Sequence, residues 1–92
     1  MQLSKLLERL EYEVVQGSDQ IGISTLINDS RKVENGSAFV CIKGAVVDGH
    51  EFVQQVAEKG AAAVIVEDEV DAPEDMTVIR VPDTRYALAL MS

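Results

Sequence analysis

The chain has 92 residues, room for one domain with one modest core, because a chain this short buries only about two-thirds of the surface its unfolded form exposes. Its composition, 47% hydrophobic and 26% charged, excludes a disordered polymer, and two Phe, two Tyr and no Trp leave the packing to Leu, Ile, Val and Ala. A net charge of −8 excludes a protein that relies on clustered Lys and Arg to hold nucleic acid or an anionic membrane.

Leu3, Leu6, Leu7 and Leu10 recur at i, i+3, i+4 and i+7 and predict a short amphipathic helix, with Ser4 as its N-cap and Lys5, Glu8 and Arg9 in solvent. Residues 12–15 read as a short strand before the turn signal Gln16-Gly17-Ser18-Asp19. From Ile21 the pattern alternates, Ile23, Thr25 and Ile27 against Ser24, Leu26, Asn28 and Ser30, so a strand running to residue 30 would project Asn28 and Ser30 from one face at its end.

Phe39-Val40-Cys41-Ile42 is an apolar run between Asn35-Gly36 and the glycines at 44 and 49, the punctuation of a buried strand between turns. Cys41 is the only cysteine, so it makes no internal disulfide, and its place in this run predicts a buried small hydrophobe. Asp48 then caps a helix with Glu51 at the capping-box position, Phe52, Val53, Val56 and Ala57 on its buried face and Gly60 at its stop. A second apolar run, residues 61–66, predicts another buried strand, and the three elements form a β–α–β unit with parallel strands. Glu67, Asp68, Glu69, Asp71, Glu74 and Asp75 read as a solvated acidic loop. A strand over residues 77–81 closes at Pro82, and Asp83 or Thr84 caps a helix beginning at Arg85. The expected fold is α/β: a small mixed, partly parallel sheet flanked by helices, around the central β–α–β unit.

The ordered set Asp29-Ser30-Arg31, Gly36, Phe39-Val40, Lys43-Gly44, Asp48-Gly49-His50 and Phe52 resembles the N-terminal domain of the Mur ligases. The likeness continues through Gly60-Ala61-Ala62-Ala63-Val64-Ile65-Val66-Glu67 and Val81-Pro82-Asp83-Thr84-Arg85-Tyr86, and within the family it is greatest to the members that add the third residue of the peptide. The resemblance implies one UDP-binding domain over residues 1–92, cut before the ATP-binding central domain. ATP and magnesium would then serve the full-length enzyme and no cofactor this portion, because the phosphate loop G-x-x-x-x-G-K-[ST] does not occur here. The implied partners are the UDP-N-acetylmuramoyl-peptide substrate and the missing central and C-terminal domains, with no nucleic acid and no membrane.

What the resemblance implies for the site is contact of Asn28 and Ser30 with the UDP-muramoyl substrate, and of Ala45, Val46 and Val47 with the nucleotide through backbone groups. The residues themselves leave a second reading open, in which Asn28 and Ser30 satisfy a turn and the 44–47 segment is an ordinary connection. Arg31, Lys32 and Lys43 bracket this region; Arg31 is the candidate for a diphosphate, and Asp29 is its rival partner. His50, the only histidine, is read as a structural residue at a helix start rather than a metal ligand or an acid–base catalyst. No apolar run approaches the ~18 residues of a membrane span and no signal-peptide pattern opens the chain, so the cytoplasm is the expected compartment. Two rival functions remain: the sister ligase that adds D-alanyl-D-alanine, and a stand-alone binding module without catalysis.

Overall fold

A computed structural model describes residues 1–91. Five strands form one sheet: β1 (Glu13–Gln16), β2 (Leu26–Ile27), β3 (Ala38–Val40), β4 (Ala63–Val66) and β5 (Thr77–Arg80), in the order β1-β5-β4-β3-β2. β2, β3, β4 and β5 run parallel, and β1 joins β5 antiparallel. Three α-helices lie among the described residues: α1 (Leu3–Leu7), α2 (Val53–Glu58) and α3 (Thr84–Met91).

The apolar runs are continuous because the central strands are covered on both faces. Ala38, Val40, Ala63, Ile65 and Ile79 point to one side and pack with Leu3 and Leu7 of α1 and Ala87 and Met91 of α3. Phe39, Cys41, Val64, Val66 and Val78 point to the other side and pack with Val53 and Val56 of α2. The molecule is therefore three layers deep, with α2 alone on one face. The mixed sheet and the parallel β3–α2–β4 unit are the ones expected.

Several local expectations are corrected. Ser4 is not an N-cap: α1 begins at Leu3, and the N–H groups of Leu3 and Ser4 donate to the carbonyls of Ile21 and Asp19, each at 2.9 Å, so backbone replaces a side-chain cap. The strand before residue 17 is shifted by one residue, to Glu13–Gln16. Residues 21–30 do not form one alternating strand. Ile23 and Leu26 join the same core and Ile27 the opposite one, because residues 22 and 23 pair back to the N-terminus and only Leu26–Ile27 enters the sheet.

Asp48 caps as expected, its Oδ1 accepting the His50 N–H at 3.0 Å, but the turn it starts is a 3-10 segment, Gly49–Phe52, that feeds α2. Gly60 ends α2 with φ of 95°, and a Cβ there would lie 2.7 Å from Asn35 Oδ1. Of the two candidate caps for the last helix, Asp83 serves, its Oδ1 accepting the Tyr86 N–H at 3.1 Å. Thr84 is instead the first helical residue and is buried.

Candidate functional site

β2 and β3 are parallel neighbours, with Ile27 beside Phe39, so both strands release the chain at the same margin of the sheet, where open α/β sheets take their ligands. An open cleft of about 740 Å³ lies there, on the α2 side, lined by Asn28, Asp29, Ser30, Arg31 and Lys32 after β2, by Phe39 and Val47, and by Phe52 and Gln55.

The chain leaves β2 at Ile27, so Asn28 and Ser30 do not share a strand face as expected; a turn brings both to the cleft. Asp29 makes that turn. Its Oδ1 accepts the Arg31 N–H at 2.9 Å, and Ser30, Arg31 and Lys32 follow as one 3-10 turn. Lys59, just past α2, donates from Nζ to the Ser30 carbonyl at 2.9 Å and ties the turn to the helix.

Arg31 is held by Asp29 as well, through Nε to Oδ1 at 3.1 Å and Nη2 to Oδ2 at 2.9 Å. This two-pronged pair holds the Asp29 carboxyl at about 2 and raises the guanidinium above its ordinary value. Lys32 makes no ion pair or side-chain hydrogen bond with the described residues.

Of the 44–47 segment, only Val47 lines the cleft. The Gly44 N–H donates to the Val47 carbonyl at 2.8 Å and Lys43 bridges Asp48, so the segment is a tight hairpin turn that carries Ala45 and Val46 outward, Val46 being 95% exposed. Lys43 turns away from the cleft. Its Nζ meets Asp68 Oδ2 at 2.8 Å and Glu67 Oε2 at 3.9 Å, and the bond to Asp68 raises its pKa. The residues that sequence reasoning left out of the site are Phe39, Phe52 and Gln55. Phe52 and Gln55 were recognisable as one helix face by their i, i+3 spacing, but nothing in the sequence said that this face meets a cleft.

His50 is a structural joint. Nδ1 donates to Asp48 Oδ1 at 2.6 Å, while Nε2 accepts the N–H groups of Glu67 at 3.0 Å and Asp68 at 3.3 Å, which sets the neutral tautomer with its proton on Nδ1. The Asp48 carboxyl is lowered by the His50 backbone N–H first and the ring second. Asp48, His50 and Asp68 lie close enough to share a cation, yet each already has a protein partner. Glu67 is no solvated loop residue: its Oε1 accepts both the N–H and the hydroxyl of Thr84 at 2.9 Å and fastens the start of α3. Cys41 is fully buried, and burial pushes its thiol up to about 12, which keeps it protonated at neutral pH.

Residues 22–92 match the family model described as "Mur ligase family, catalytic domain". This chain belongs to the Mur ligase family. A UDP-N-acetylmuramoyl-L-alanyl-D-glutamate–2,6-diaminopimelate ligase of Clostridium perfringens is 48% identical over 92 residues, the whole of this chain and 19% of that protein. The ligase of the same name from Bacillus licheniformis is 48% identical over 93 residues, again across the whole chain and 19% of the relative. The chain thus spans about one-fifth of the length of these Mur ligases. Among solved structures, MurF from Acinetobacter baumannii superposes with a TM-score of 0.74 at 36% identity, over 97% of this chain and 19% of that one. The mixed sheet flanked by helices is the fold of the Mur ligase N-terminal domain.

Proposed function

We propose that this domain holds the UDP end of a UDP-N-acetylmuramoyl peptide for a full-length ligase of peptidoglycan synthesis. In that reading the substrate is UDP-N-acetylmuramoyl-L-alanyl-D-glutamate, and domains outside these 92 residues add a diamino acid, meso-diaminopimelate or L-lysine, at the expense of ATP with magnesium. The observation that carries the reading is the 48% identity, across the entire chain, to ligases named for that substrate. The cleft supports it through Asn28, which offers a donor and an acceptor, Ser30, a hydroxyl, and Val47, an apolar contact, while Ala45 and Val46 would reach the nucleotide only if the exposed turn that carries them folded over it. Arg31 would meet a diphosphate only by loosening its grip on Asp29, whereas Lys32 makes no ion pair or side-chain hydrogen bond with the described residues.

This chain has no phosphate loop, so its residues do not fit ATP and no chemical step is assigned to them. Its contribution is positioning: remote binding energy on the nucleotide fixes where the reacting carboxylate lies. A second reading, the ligase adding D-alanyl-D-alanine, is favoured by the 36% identity to an Acinetobacter baumannii structure of that name.

Amide NMR titration of the chain with UDP-N-acetylmuramoyl-L-alanyl-D-glutamate and with UDP tests the proposal. Saturable shifts at Asn28, Ser30 and Val47, weakened in Ser30→Ala, are expected. Shifts absent from that margin of the sheet, or confined to the opposite one, would remove it.

A further inference from the structure

Resting on the cleft as a nucleotide site, we infer that Phe52 and Gln55 are its base-recognition pair, Phe52 stacking on the pyrimidine and Gln55 hydrogen-bonding to its imide edge. Both residues line the cleft, and they are three apart where the 3-10 turn passes into α2, so they present one face. Phe52 is half-buried: part of it packs on the core below and the rest faces the cleft.

Gln55 is exposed, and its side-chain amide has no hydrogen-bond partner among the described residues. The neighbouring Gln54 contrasts with it, its amide donating to the Asp71 carbonyl. A free carboxamide carries one acceptor and two donors on a flat group, which matches the edge of uracil, an N–H between two carbonyls. Val47, which also lines the cleft and is exposed, supplies further apolar surface for a base.

The charged residues that line the cleft, Asp29, Arg31 and Lys32, all belong to the turn after β2. Ser30 belongs to the same turn, so a nucleotide with its base on Phe52 and Gln55 lays its ribose and phosphates along Asn28, Ser30 and Lys32. The opposite orientation would set the diphosphate beside Phe52 and Val47, which bring it no charge, and leave the end of the cleft at Arg31 and Lys32 to the uncharged base. The cleft therefore has a direction.

The test is amide NMR titration of the wild-type chain, Gln55→Ala and Phe52→Leu with UMP and with ribose 5-phosphate, which lacks the base. UMP should bind wild type about tenfold more tightly than ribose 5-phosphate. Gln55→Ala should weaken UMP by about fivefold and leave ribose 5-phosphate unchanged, as expected for one lost hydrogen bond. Phe52→Leu keeps an apolar core contact but removes the flat ring, and it should act in the same selective way. Equal loss for both ligands, or no loss of UMP in either variant while UMP still shifts Asn28 and Ser30, overturns the pairing and leaves the cleft reading standing. No shift at any cleft residue with UMP in wild type overturns both.

Discussion

Asp29 illustrates how one side chain can be both turn-maker and electrostatic anchor. It accepts the Arg31 N–H, which bends the chain out of β2, and it grips the same residue's guanidinium, which lowers its own pKa to about 2. An NMR titration of the Asp29 carboxyl should therefore give a midpoint near 2, and Arg31→Ala should move it back toward the ordinary value of about 4. His50 makes a second residue-scale prediction. Its Nε2 is the acceptor for two N–H groups of the segment after β4, and the ring is nearly buried, with 7% of the side chain exposed. His50→Leu leaves those donors without their acceptor and should lower stability by about 1–3 kcal/mol in urea unfolding, with Gln at the same position recovering part of the loss. That His50 would be structural was legible from its isolation in sequence; which strand end it would fasten was not, because Glu67 lies 17 residues away.

At the scale of elements, patterns that depend on burial were readable and those that depend on tertiary partners were not. The runs around Phe39 and Val64 announced strands covered on both faces, and Asp48 and Gly60 marked the bounds of the helix between them. The alternation from Ile21 to Ser30 misled because the N-terminal residues, not the sheet, claim its first half: the Ile23 N–H donates to the Met1 carbonyl at 2.7 Å. For the same reason the cleft residues Asn28 and Ser30 were picked out correctly as neighbours but on the wrong geometry, a strand face instead of a turn. The helix ends carry their own prediction. Gly60→Ala puts a Cβ at positive φ and against Asn35, so it should cost more than the ~1 kcal/mol of an ordinary glycine C-cap replacement, read as a lowered midpoint of thermal unfolding.

For the molecule as a whole, acid is the informative perturbation. Asp19, Asp29 and Asp48 all have lowered pKa values, the first through the Tyr12 hydroxyl, the second through Arg31 and the third through the His50 N–H. A carboxyl whose folded value lies below its unfolded one contributes stability that is complete above about pH 4 and is lost as pH falls through the folded value. The urea midpoint should accordingly drop steadily below about pH 4, and Asp29→Asn should flatten the part of that drop that extends toward pH 2.

The shared direction of β2, β3, β4 and β5 has an architectural consequence. Every segment that follows one of these strands opens on a single rim, and every segment that enters one is knitted at the other, where the Gly36 N–H meets the Gly60 carbonyl at 2.8 Å and the Ala62 N–H meets Ser37 at 2.7 Å. Substitution along the exit rim can retune what is held without disturbing the layers beneath, while the entry rim, stitched main chain to main chain, serves as the fixed foundation on which such variation is built.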